Sequence, residues 1–236
     1  GDGSAMTGAS GGNRHSGQLF LDFPKADPES RPLIDSGSYA TAVTSIRRWR
    51  LWPGGQMALV GEAQAGRTRL LRMWAEDAGA AFVTGEALAA AEIDEIARLS
   101  VSALAVDDAD HTASAMGLFA ALNLCRDRRA PVLLSGRTEP VGWFTAPPDL
   151  RSRLAAMPVA HIAPPDDETL AARLREETAL RHLIIPEESV TYLARRMEPS
   201  WEAVGRVADQ IARTPGRAEG LRSARAVLVA LGMDPG

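Results

Sequence analysis

The stretch that most limits what this chain can fold into is Gly61-Glu62-Ala63-Gln64-Ala65-Gly66-Arg67-Thr68. The apolar run Gln56–Val60 precedes it and a helical pattern over Thr68–Ala78 follows. Strand, glycine-bounded loop and helix in that order match the phosphate-binding pattern G-x-x-x-x-G-K-[ST] at every fixed position except the lysine, which is Arg67. Gly61 and Gly66 let the backbone of Gln64 and Ala65 wrap an anion, and the opening turn at Thr68 and Arg69 aims the positive end of a helix at it. The Thr68 hydroxyl suits Mg²⁺. The same residues would also serve as a plain turn between strand and helix, and it is the flanking pattern that favours the phosphate. Arginine keeps the charge of lysine but is longer, planar and forked. Holding a nucleotide is therefore better supported than turning it over.

The rest of the chain repeats the alternation. Strands are expected at Ala80–Thr84, Val101–Val106, Pro131–Ser135 and Pro158–Ile162, with helices at Leu88–Leu99 and Ala113–Arg126 between them. Strands separated by helices of this length imply parallel crossovers and a sheet covered on both faces. After Pro164-Pro165 the strand signal stops. Asp166 and Asp167 can cap a helix running to about Leu183, and helices follow at Pro186–Met197, Trp201–Arg213 and Ala218–Leu231. The expected fold is α/β, a P-loop parallel-sheet domain over 33–164 followed by a small all-helical domain over 165–236. Residues 1–17 read as a Gly/Ser-rich tail, with Met6 the native start and Gly1–Ala5 a cloning remnant. Residues 18–32 hold a dense hexapeptide, Gln18-Leu19-Phe20-Leu21-Asp22-Phe23, and a proline-bearing linker.

Charge narrows the function classes. Lys+Arg 26 against Asp+Glu 30 argues against a surface coated for nucleic acid. Cys125 is the sole cysteine, so no internal disulfide forms. With no run long and apolar enough for a membrane span and no apolar signal region, a soluble cytoplasmic protein is expected. His111, His161 and His182 have no metal-ligand spacing.

Other residues carry candidate chemistry. Val101–Val106 leads into Asp107-Asp108, a usual place for a Mg²⁺-holding carboxylate (Asp107) and a water-orienting neighbour (Asp108). Without the phosphate loop upstream, the pair would read as an acidic turn capping the next helix. In Ser135-Gly136-Arg137 a polar side chain, Ser135 or Arg137, lies where a γ-phosphate could be approached. Asp149-Leu150-Arg151-Ser152-Arg153-Leu154 offers an arginine-bearing helix, which is either a solvated face or the source of an arginine that reaches a neighbouring subunit's nucleotide. The hexapeptide can place Leu21 and Phe23 in an apolar groove of a partner while Gln18 orients it. It could alternatively be a first strand or a flap packed on the body, but its position between a Gly/Ser tail and a proline-rich linker favours exposure.

Taken in order, these pieces resemble the AAA+ modules of the bacterial replication-initiator clade and, within it, the Hda family of DnaA-related inactivators. The likeness spans roughly residues 18–231. It rests on Ala65-Gly66-Arg67-Thr68, since Hda proteins also carry arginine in the lysine slot, on Pro148–Leu154 with Arg153 as the arginine finger, and on Gln18–Phe23. The last is similar to the family's sliding-clamp motif, with Gln18, Leu19, Leu21 and Phe23 as its binding residues. The resemblance implies a negative regulator of replication initiation. The sliding clamp (the beta subunit of DNA polymerase III) recruits it, and Arg153 acts in trans to stimulate hydrolysis of ATP held by DnaA. It further implies bound ADP or ATP with Mg²⁺, a homodimer or higher oligomer, and little turnover by the chain alone. An autonomous ATPase of helicase-loader type and a DnaA-like initiator fragment are the alternatives. A chain ending near Gly236 leaves no room for an initiator's helix-turn-helix domain, so no sequence-specific DNA binding is expected. The lid arginine usual in AAA+ proteins is missing: Glu198-Pro199-Ser200-Trp201 stands there, Arg206 is a weak substitute, and Trp201 reads as lid core.

Overall fold

The computed structural model describes residues 19, 21–23, 37–110, 113–214, 216 and 218–233. Its centre is β1 (Gln56–Val60), where Met57, Ala58, Leu59 and Val60 are all buried. A strand apolar on both faces needs cover on both sides, and parallel neighbours supply it. The other strands are β2 (Ala81–Thr84), β3 (Leu104–Asp107), β4 (Val132–Gly136) and β5 (Val159–His161). They form a five-stranded sheet in the order β2-β3-β4-β1-β5, and every pairing between strands is parallel.

Helices pack on the two faces. The helices of the α/β part are α1 (Ala40–Arg47), α2 (Arg67–Ala78), α3 (Gly85–Ala90), α4 (Ile93–Ala97), α5 (Ala115–Arg128) and α6 (Pro148–Ala156). One apolar cluster joins α1 and α2 to one face of the sheet through residues such as Ile46, Leu70, Trp74 and Leu133. A second joins α3, α4, α5 and α6 to the opposite face through Leu88, Ile96, Leu118 and Leu150. The helices α7 (Asp167–Leu180), α8 (Glu187–Arg196), α9 (Trp201–Arg213) and α10 (Leu221–Ala230) follow the sheet and enclose their own core around Leu174, Leu193 and Val207.

Three sequence expectations change. The helix expected over Leu88–Leu99 is two short ones, because Ala91 and Glu92 adopt extended backbone. Leu88 and Ile96 are both fully buried. On one continuous helix they would point about 80° apart, whereas the break turns both onto the sheet. The strand expected from Val101 begins only at Leu104, paired with Ala81 on β2 and Val132 on β4. Finally, α1 was not anticipated, although Ala42, Val43 and Ile46 bury one face of it at helical spacing.

The helical caps follow sequence. The Asp166 carboxylate accepts from the Thr169 N–H at 2.8 Å to start α7, and the Ser200 hydroxyl accepts from the Ala203 N–H at 3.2 Å to start α9.

Candidate nucleotide site

The loop between β1 and α2 folds as its glycines require. Gly66 has φ +89°, in the left-handed region, and any Cβ there would lie 2.6 Å from the Tyr39 hydroxyl. Gln64 also has positive φ. Tyr39, fully buried, donates its hydroxyl to the Ala65 carbonyl at 2.5 Å. Burial pushes its pKa up to about 12 despite the nearby Arg173 and Arg69. Sequence reasoning missed Tyr39; a lone aromatic opening a helix in a chain only 5% aromatic was the available signal.

The carboxyl ends of β3 and β4 bring the other candidates to this loop. Asp107, 6% exposed, accepts from the Thr68 hydroxyl at 2.5 Å on one oxygen and from the Ser135 hydroxyl at 2.6 Å on the other. Ser135 in turn accepts from the Asp108 N–H at 2.9 Å. Of the two residues left open on the fourth strand, Ser135 is thus inside the cluster. Arg137 is exposed, and its backbone N–H donates to Asp110 at 2.6 Å. Hydroxyl and carboxylate oxygens, as in Thr68 and Asp107, are the donor set that Mg²⁺ takes, and the two would hold it.

Arg67 is 8% exposed. One arm of its guanidinium, Nη2, donates to Asp108 at 2.6 Å, while Nη1 is buried without a hydrogen-bond partner. A buried donor beside a left-handed glycine turn fits a phosphate oxygen, so the residues present fit a nucleotide. The other arm occupies the acid expected to orient water.

Arg69, the next candidate along, turns elsewhere: it pairs with Glu176 of α7 at 2.6 Å. Arg173 reaches the same carboxylate at 3.3 Å. The phosphate-loop helix is thereby clasped to the helical part. Trp201 reinforces the clasp. It packs its ring 5.3 Å from that of Tyr39 and belongs to the core of the sheet domain rather than to that of the lid, which corrects the sequence expectation. Arg206 pairs with Glu198 at 2.7 Å.

Arg153 sits on α6 with its guanidinium 5.4 Å from the Phe119 ring of α5. No ion pair of Arg153 occurs among the described residues. Burial lowers its pKa, and Arg126 nearby lowers it further. Since α5 and α6 cover one face of the sheet and α2 the other, Arg153 lies across the sheet from the helix of its own phosphate loop.

The expectation of an exposed hexapeptide is overturned. Leu19 is buried, Leu21 packs against the same core, and Asp22 pairs with Phe82 at the edge of β2. Phe23 at 60% exposure and the Asp22 side chain face outward. Gln18 lies outside the described residues. Cys125 is buried, and burial pushes its thiol up to about 12.

No protein-family model matches the chain, and no curated protein sequence is similar to it. Solved structures are. Domain III of the replication initiation protein DnaA from Thermotoga maritima superposes with a TM-score of 0.68 at 20% identity, covering 89% of this chain and 99% of that one. AMPPCP-bound DnaA from Aquifex aeolicus gives a TM-score of 0.62 at 16% identity, covering 83% and 68%. A mutant RuvB from Thermotoga maritima gives 0.58 at 15% identity, covering 85% and 70%. The chain therefore has the AAA+ fold, a P-loop α/β sheet followed by a helical lid. No helix among the described residues is long and apolar enough to cross a membrane.

Proposed function

We propose that this AAA+ chain is a nucleotide-binding negative regulator of DNA replication initiation. Gln18–Phe23 binds the sliding clamp, and Arg153 is inserted at the nucleotide of a neighbouring DnaA to stimulate hydrolysis of its ATP. The observation that carries the reading is Arg153 itself: a guanidinium stacked on Phe119, without an ion pair among the described residues, across the sheet from its own phosphate loop. A cation held there is of little use to the chain's own nucleotide and well suited to another's. The likeness to DnaA domain III over nearly its whole length supports a partner of the same architecture, against which such a module would stack.

The chain's own site supports binding more than turnover. Arg67 offers its buried Nη1 to phosphate while its other arm ties Asp108, so the carboxylate is not free to align water. Thr68 and Asp107 would hold Mg²⁺, which when bound draws charge from the phosphate oxygens. ADP or ATP is the ligand. The complete Thr68–Asp107–Ser135 cluster also favours a second reading, an autonomous ATPase, in which Arg67 would move to the phosphates and release Asp108.

The deciding measurement is hydrolysis of DnaA-bound ATP with this protein, with and without clamp loaded on DNA. Stimulation is expected with loaded clamp. Arg153→Ala should remove it, about 10³–10⁵ in rate if the finger acts as in related phosphoryl transfer, while leaving clamp binding intact. Unchanged stimulation by that variant rejects the finger role, and rapid turnover by the chain alone favours the second reading.

A further inference from the structure

The outer edge of the sheet is β2, and it is not bare. Asp22 exchanges two backbone hydrogen bonds with Phe82: its N–H donates to the Phe82 carbonyl at 3.2 Å and its carbonyl accepts from the Phe82 N–H at 2.7 Å. On the core side, Leu19 is buried, its N–H donates to the Glu95 carboxylate of α4, and Leu21 is half-buried. On the opposite side, the Asp22 carboxylate meets Arg72 of α2 at 3.2 Å, and the Arg72 guanidinium lies 4.4 Å from the Phe82 ring. The alternation is that of a strand: Leu19 and Leu21 face one way, Asp22 the other. Burial falls off along the segment, from Leu19 at 9% exposure to Phe23 at 60%.

An extended peptide that docks in a partner's groove uses the same alternate side chains and the same backbone groups. Leu19 cannot fill the pocket under α4 and the pocket of a clamp together. We propose that the β2 edge, with Glu95 and Arg72, is an intramolecular docking site for the segment carrying Leu19, Leu21 and Asp22 that competes with the sliding clamp, so that clamp binding requires the segment to leave its own sheet. This rests on reading the segment as a clamp ligand. Only the undocked fraction of molecules binds, so the dissociation constant rises by the reciprocal of that fraction. With about 1–10% undocked, the whole chain binds roughly 10- to 100-fold more weakly than the free peptide. Phe23, left outward, is the residue by which a clamp would begin to peel the segment away.

The test measures fluorescence anisotropy of a labelled synthetic peptide of residues 18–23 on purified clamp, with unlabelled whole chain as competitor. Arg72→Ala and Glu95→Ala lie outside the peptide and outside the phosphate site. Both should make the whole chain a stronger competitor, approaching the free peptide. In hydrogen exchange on the whole chain, the Phe82 amide should be protected alone and exchange faster with saturating clamp. Variants that compete no better, or a Phe82 amide equally protected when clamp is saturating, overturn the proposal. A free peptide that fails to bind clamp overturns the clamp reading and this competition with it. A Phe82 amide still protected in the wild type and released in the two variants would then leave the docking itself standing.

Discussion

Replacing Gly66 by alanine isolates the physics of the phosphate loop. Two costs add. The first is the left-handed backbone at φ +89°, worth about 1–2 kcal/mol for a residue with a Cβ. The second is the contact that a Cβ would make with the Tyr39 hydroxyl at 2.6 Å. Tyr39 cannot retreat: it is fully buried, its hydroxyl is fixed on the Ala65 carbonyl at 2.5 Å, and its ring lies 5.3 Å from that of Trp201. Overpacking of that kind costs about 1–3 kcal/mol. Tyr39→Phe removes the obstructing oxygen and leaves the ring carbon 3.5 Å away, an ordinary contact. Alone it should cost about 1 kcal/mol for the lost hydrogen bond. The double variant should therefore be more stable than the sum of the single losses predicts, by about 1–3 kcal/mol. Urea unfolding of the four proteins at neutral pH without nucleotide measures this. Additivity within about 0.5 kcal/mol would refute the claim that the tyrosine sets the shape of the loop.

Three further outcomes are expected. Trp201→Ala should cost about 3–5 kcal/mol in urea unfolding and speed amide exchange in α9, since it empties the contact that seats the lid on Tyr39; an unchanged midpoint would contradict that seating. Arg67→Ala should weaken fluorescent ADP binding by about 10- to 100-fold, the value of a charged hydrogen bond, whereas Arg67→Lys should bind more nearly like the wild type. Stability should fall on the alkaline side. Tyr39 and Cys125 are both raised to about 12 in the fold and are near 10 and 9 when unperturbed, so their contribution is complete below pH about 9 and lost as pH rises toward 12. A urea midpoint flat from pH 8 to 11 would exclude this, and Cys125→Ala should delay the onset of the fall.

What the sequence made legible was what repeats or is punctuated. The strand Gln56–Val60 and the helix Trp201–Arg213 are found as expected, because a two-sided apolar run and a serine cap before an amphipathic stretch are local signals. The cluster of Thr68, Asp107 and Ser135 was legible for another reason: parallel strands put all their carboxyl ends on one rim. What could not be read depended on distant partners. Tyr39 matters through Ala65 and Trp201, Arg69 turns toward Glu176, and the break at Ala91 serves two leucine-sized side chains that must share one sheet face. The hexapeptide misled for the same reason. Its flanking composition indicated exposure, while its fate is set by an unpaired strand edge that no local pattern announces.

The Arg67–Asp108 pair has a consequence in the realm of covalent chemistry. Lys25 is the sole lysine of the chain, and it stands well before the phosphate loop. A guanidinium does not lose its proton under biological conditions, and it is no substrate for the acylation that silences an amine. Acetylation therefore cannot erase the positive charge at this loop. Nucleotide-directed reagents that mark ATP sites by acylating the loop lysine will find no amine there, so this site would pass unlabelled through a chemical census of ATP-binding proteins.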